Sequence, residues 1–168
     1  IAITERDNAL KRPDAWMHDR PFDLDTYMNG RMIADPLNLF DYCLVNDGGV
    51  AIVITSAEKA QSLKSQPIYI MGTGLGHRIK QVHNKEHYLK LDVDRAKDTA
   101  FNEAGITLED VDVTQLYDCF TITVLLETED YGFCAKGEGG AYWEDGHASL
   151  SGKTPINTSG NNMSWGYN

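Results

Sequence analysis

Val111-Asp112-Val113-Thr114-Gln115-Leu116-Tyr117-Asp118-Cys119-Phe120 is the stretch on which the fold turns. Its first seven residues alternate in part, as a strand does. Residues 121–132 then carry apolar side chains on one helical face. A strand running directly into a helix is the repeating unit of a layered α/β chain. The junction places Tyr117 at a strand's C-terminal end, where open α/β sheets receive ligands. It places Cys119 at a helix start, where a thiol's pKa falls and a nucleophile forms. Each residue also has a plain structural role available. Tyr117 packs with its hydroxyl satisfied, Asp118 caps the helix, and Cys119 fills a small apolar space.

Upstream, the turn signal Asn46-Asp47-Gly48-Gly49 precedes Val50-Ala51-Ile52-Val53-Ile54-Thr55, which is apolar on both faces. Such a run reads as a strand buried on both sides. Ser56 caps a helix expected to reach Lys64, and Pro67-Ile68-Tyr69-Ile70-Met71-Gly72 reads as a second buried strand. Residues 92–104 form an amphipathic helix, with Val93, Ala96, Ala100 and Ala104 near one face and Gly105 as its stop. Thr107 opens a short capped turn. Residues 1–12 read as a short polar helix ended by Pro13, and residues 13–34 as a loop. Asp35-Pro36 starts a turn or helix, with Asp35 as N-cap and Pro36 in the first helical position. Residues 136–155 form a long Gly-rich excursion. The alternation of strands and helices predicts a layered α/β fold, although three strands are few for a sheet covered on both faces.

A second segment also carries possible chemistry: Asn157-Thr158-Ser159-Gly160-Asn161-Asn162-Met163-Ser164-Trp165-Gly166-Tyr167. Its amides, serines and backbone N–H groups are the parts of an oxyanion hole. The same composition also suits a loose tail.

The bulk numbers exclude several classes. A net charge of −10 argues against a nucleic-acid binder, which needs a basic footprint. No apolar run approaches the ~18–20 residues of a membrane span. No secretory leader pattern is visible. Three cysteines without framework spacing fit a reduced, cytoplasmic compartment. Gly72-Thr73-Gly74-Leu75-Gly76 follows a strand, but a dinucleotide fingerprint fails because His77 stands at its last position. A strand end packed closely by its backbone is the better reading. His77, His83 and His87 lie among Lys80, Lys85 and Lys90, which discourages a metal site. A solvated loop, or one touching a phosphorylated ligand, fits better.

These residues together resemble the C-terminal half of the thiolase superfamily, in its sterol-carrier-protein and lipid-transfer-protein-like branch. Arg31-Met32-Ile33-Ala34-Asp35-Pro36-Leu37 and Asp47-Gly48-Gly49-Val50-Ala51-Ile52-Val53 resemble its entry segment and first strand. Asp118-Cys119-Phe120 resembles its His-Asp-Cys-Phe motif. Lys136-Gly137-Glu138-Gly139-Gly140 and Ile156-Asn157-Thr158-Ser159-Gly160 resemble two of its segments C-terminal to that motif.

The resemblance implies a layered α-β-α-β-α fold from two similar halves, of which this chain is an internal fragment. Residues 1–45 are then the end of the N-terminal half and a loop segment. Residues 46–168 are a C-terminal domain, incomplete at its C-terminus, with a mixed sheet and helices on both faces. It implies a CoA thioester as substrate and no further cofactor. Two departures change the expected chemistry. Tyr117 stands where the family has the histidine of its His-Asp-Cys-Phe motif, and Tyr167 where Ser-x-Gly-His has its histidine. Asn161 and Asn162 also replace a usual glycine. Paired tyrosines resemble the thiolase-like aldolases of steroid side-chain degradation, which work with a small OB-fold acyl-CoA-binding partner. By resemblance, Tyr117 and Tyr167 are catalytic, and Asp118, Cys119, Phe120, Ser159, Gly160, Ser164 and Gly166 bind substrate. The sequence leaves acyl transfer, retro-aldol cleavage and binding without catalysis all open. A sheet without its terminal strands leaves an open edge, so self-association is expected.

Overall fold

The computed structural model describes residues 1–76, 89–91 and 93–166. The expectations placed on His77, His83, His87, Lys80, Lys85 and Tyr167 lie outside the described residues. Helix α1 spans Ala2–Ala9 and α2 Leu24–Met28. Strands β1 (Met32–Ala34) and β2 (Leu37–Asn38) pair antiparallel across Asp35-Pro36. Asp35-Pro36 therefore forms a turn between strands, not a helix start. Helices α3 (Ala57–Gln61), α4 (Val93–Ala104), α5 (Thr121–Asp130) and α6 (Gly139–Glu144) follow, and a π-type turn covers Asn161–Trp165.

Helix boundaries follow the capping chemistry. Ser56 accepts from Lys59 N and starts α3, which ends at Gln61, short of the expected Lys64. Thr107 and Asp110 form a reciprocal capping box around a single 3₁₀ turn. Gly105 adopts φ 69° directly after α4, the left-handed stop that its sequence position predicts. The excursion at 136–155 contains α6, and the supposed loop at 13–34 contains α2 and β1.

The strand expectations fare differently. Among the described residues the one ladder is β1–β2. Residues 50–55 lie outside any ladder and are exposed, with Val53 at 92% and Ile68 of the second run at 98%. The expectation of strands buried on both faces is thus not met in this chain. An apolar run states what a segment needs against it, and among the described residues these side chains remain exposed. Residues 111–117 contribute a single parallel bridge, Thr114 to Ile156. It is closed by Thr114 N to Pro155 O and Asn157 N to Thr114 O, both 2.9 Å.

That bridge runs beside the core. Leu116, Val124, Tyr142, Trp143, Ala148 and Ile156 form one buried cluster. The Trp143 indole donates to Thr128 Oγ1 at 3.0 Å, which ties α6 to α5. Gly72 and Gly74 press onto α4: a Cβ on them would stand 2.0 Å from Ala100 O and 1.9 Å from Ala96 O. The glycine series serves close backbone packing against the alanine face, as its failed dinucleotide pattern suggests.

Candidate active site

Tyr117 leaves the Thr114–Leu116 segment with half its surface exposed, while Asp118 beside it is fully buried. The Tyr117 N–H donates to Glu127 Oε2 on α5 at 2.9 Å. Burial pushes the Glu127 carboxyl up to about 7; the Tyr117 N–H bond opposes this, and Asp118 and Asp130 add to it. Residue 117 is therefore fixed through its main chain while its ring reaches the surface.

Asp118 does not cap α5, whose N-cap is Phe120 without a side-chain bond. It reaches across to the second segment. Its Oδ1 accepts from Asn162 N at 3.0 Å and its Oδ2 from Met163 N at 2.8 Å. Cys119 precedes the helix, its Sγ 3.4 Å from Thr123 Oγ1. Its carbonyl accepts from Cys43 N at 3.1 Å. Phe120 meets Tyr42 edge to face, ring centroids 5.0 Å apart.

The second segment is a built structure and not a tail. Asn157 is fully buried in the left-handed region at φ 52°, which asparagine tolerates better than most residues. Its Oδ1 accepts from Leu116 N at 2.8 Å, and its Nδ2 donates to Glu5 Oε1 at 2.7 Å. Asn8 Nδ2 donates to the Asn157 carbonyl at 3.1 Å. Asn161 Nδ2 donates to Leu116 O at 2.7 Å. The two asparagines thus lace the 157–161 strip to the strand-like segment that carries Tyr117.

Ser159 Oγ accepts from Asn161 N at 3.3 Å. Gly160 has φ 90°, and a Cβ there would stand 2.6 Å from Ala9 Cβ and 2.7 Å from Glu5 O. Ser164 is buried and its Oγ accepts from Arg6 Nε at 2.9 Å. Gly166, at φ 151°, closes the π-type turn through its N–H to Asn161 O, 3.0 Å. Asp118, Ser159, Gly160, Ser164 and Gly166 therefore share one packed region. Tyr117 lies at its edge, and Cys119 and Phe120 lie on the α5 side.

Sequence reasoning missed α1 as part of this region. Its Glu5, Arg6 and Asn8 are buried, although a polar helix reads as a solvated one. No spacing signal marks them, because their partners lie about 150 residues away. Burial, and then the Asp118 charge, push the Glu5 carboxyl well above the usual carboxylate range. Burial also raises Asp118, against hydrogen bonds from Glu5, Met163 and Asn162 that hold it down.

A cleft of about 620 Å³ opens elsewhere, between the start of α1, α2, α5 and α6, lined by Ile3, Leu24, Tyr27, Ile122, Leu125 and Trp143. None of the candidate catalytic or substrate-binding residues lines it, although Pro36, Leu37 and Gly140 of the quoted motif segments do. Among the described residues, no group of three or more His, Cys, Asp or Glu is placed to hold a metal ion. None of their helices is long and apolar enough to cross a membrane.

The chain belongs to the thiolase superfamily: residues 74–168 match the family described as thiolase C-terminal domain-like. It is 33% identical, over 99% of its length and 44% of the relative's, to the steroid side-chain-cleaving aldolase of Thermomonospora curvata. It is 32% identical to an acetyl-CoA acetyltransferase of Methanothermobacter thermautotrophicus, over 95% of this chain and 42% of that one. A solved structure of the Ltp2-ChsH2(DUF35) aldolase superposes with a TM-score of 0.94 at 32% identity, covering 99% of this chain and 45% of that one. The chain thus spans less than half the length of the relatives it matches. The thiolase-like α/β fold expected from the sequence is the one these similarities show.

Proposed function

We propose that this chain supplies one half of an acyl-CoA site that breaks the carbon–carbon bond beside a thioester by retro-aldol cleavage of a β-hydroxyacyl-CoA. The observation that carries the reading is Tyr117. It stands half exposed at the family's histidine position, held through its main chain by Glu127, while Asp118 behind it grips the turn that leads to Tyr167. In this reading one tyrosine, held as its phenolate by a depressed pKa, takes the β-hydroxyl proton and becomes the neutral phenol. The oxygen's electrons then form a carbonyl at Cβ, and the Cα–Cβ bond breaks. Its electron pair passes to Cα as the thioester enolate, which the other tyrosine stabilises by hydrogen bonding and protonates. No cofactor beyond the substrate's own CoA is required. The similarity to the Ltp2-ChsH2(DUF35) aldolase supports a small acyl-CoA-binding partner for this chain as well.

A second reading, acyl transfer, is favoured by the likeness to an acetyl-CoA acetyltransferase. The tyrosines weigh against it, because both positions at which the family places a histidine are occupied by tyrosine here.

The test is Tyr117→Phe and Tyr167→Phe in the full-length protein, with a β-hydroxyacyl-CoA and mass-spectrometric detection of the two cleavage products. Each variant should lose about 10²–10⁴-fold in kcat, the scale of acid–base catalysis, with acyl-CoA binding retained. Wild-type turnover in both variants would overturn the retro-aldol reading.

A further inference from the structure

Glu5 has no exposed surface, and its two carboxyl oxygens are treated unequally. Oε1 accepts from Asn157 Nδ2 at 2.7 Å. Among the described residues, Oε2 receives no hydrogen bond from an N–H or O–H donor. The Glu5 and Asp118 carboxyls lie within reach of each other, and with Oε1 engaged by Asn157, Oε2 is the oxygen left to meet Asp118. Two ionised carboxylates have no donor between them, so one of the pair holds a proton. The backbone decides which. Both Asp118 oxygens accept a main-chain N–H, from Asn162 at 3.0 Å and Met163 at 2.8 Å. Glu5 has one amide donor, on the far oxygen. Two N–H bonds favour the charged form at Asp118.

We propose that Glu5 is a neutral carboxylic acid that donates from Oε2 to the Asp118 carboxylate, and so acts as the positioning residue for the Asn162–Met163 turn. Asp118 follows Tyr117 directly, and the turn runs on through Ser164 to Gly166. One proton, supplied from α1, therefore aligns both segments, which rests on the proposed function's reading that they form a single site.

The surroundings agree. Burial and the Asp118 charge both raise the Glu5 carboxyl. Of the other charged groups here, Arg6 on α1 is committed elsewhere, its Nε to Ser164 Oγ and its Nη1 to Arg20 O at 2.5 Å. Glu127 on α5 reaches the pair through its charge interaction with Asp118.

Glutamine is the isostere of a protonated glutamate: its Oε accepts from Asn157 and its amide donates to Asp118. The test is carbon-13 NMR of the Glu5 carboxyl at pH 7, with hydrogen exchange at the Asn162 and Met163 amides in wild type, Glu5→Gln and Glu5→Leu. We expect a protonated Glu5 signal at pH 7. Exchange protection should stay within about twofold of wild type in Glu5→Gln, and fall about tenfold or more in Glu5→Leu, the scale of one lost buried hydrogen bond. An ionised Glu5 at pH 7, or a Glu5→Gln protein as deprotected as Glu5→Leu, overturns the proposal. If Glu5→Leu does not fold, the carboxyl signal and Glu5→Gln decide alone by the same criteria. Turnover separates the two readings. A Glu5→Leu enzyme with a loosened turn and undiminished β-hydroxyacyl-CoA cleavage sustains the Glu5 hydrogen bond and sinks the single-site function.

Discussion

Glu127 is the residue through which this region should respond to pH. Its carboxyl titrates at about 7 when folded against an ordinary value of 4.5. The folded state therefore holds a proton that the unfolded state has released between those values. Stability falls as pH rises through that window and levels off above it. Glu127→Gln keeps an acceptor for the Tyr117 N–H and removes the titration. Urea midpoints at pH 5 and pH 8 should differ less in Glu127→Gln than in wild type. Equal differences in the two proteins would show that Glu127 does not carry the effect. Tyr117 and Asp118 were legible from the sequence as a pair, but their division of labour was not. The strand-to-helix junction says where side chains emerge, while burial decides that Asp118 turns inward and Tyr117 outward.

At the scale of elements, α1 against the π-type turn is the contact that organises the site. At Gly160 the two meet tightly: φ 90° and the 2.6 Å that would separate an added Cβ from Ala9 Cβ both exclude a side chain. Gly160→Ala should cost about 2–5 kcal/mol, combining backbone strain with overpacking. Chemical denaturation should show that loss, along with weaker exchange protection of α1. A change under about 0.5 kcal/mol, the scale of an ordinary surface substitution, would mean that α1 docks loosely. Helices α4 and α5 were readable to within two residues because the apolar period is followed in each by a stopping glycine, Gly105 and Gly132. The buried polar face of α1 was not, since a hydrogen-bonded Glu, Arg and Asn look identical in sequence to solvated ones.

For the whole molecule, the unpaired apolar runs dominate. Val50, Ile52, Val53, Ile54, Ile68 and Ile70 are each at least two-thirds exposed, a liability of the kind that drives strand pairing or association. The isolated chain should self-associate at micromolar concentration. Replacing Val53 and Ile68 by lysine should shift it toward monomer in light scattering. A wild-type chain that stays monomeric at that concentration would show these runs to be covered or indifferent.

Local chemistry determined what the sequence alone could give: the α/β class, the glycine packing at Gly72 and Gly74, the ends of α4, and the two tyrosine-bearing segments. Each depends on residues within one or two helical turns of one another. Tertiary structure decided the rest. It turned Asp118 from a helix cap into the clasp of the Asn162–Met163 turn, and it made Asn157 a buried junction. It also brought Glu5 from the far end of the chain to a carboxylate that needs its proton. Those outcomes depend on which groups are removed from water together, and only the packed fold sets that.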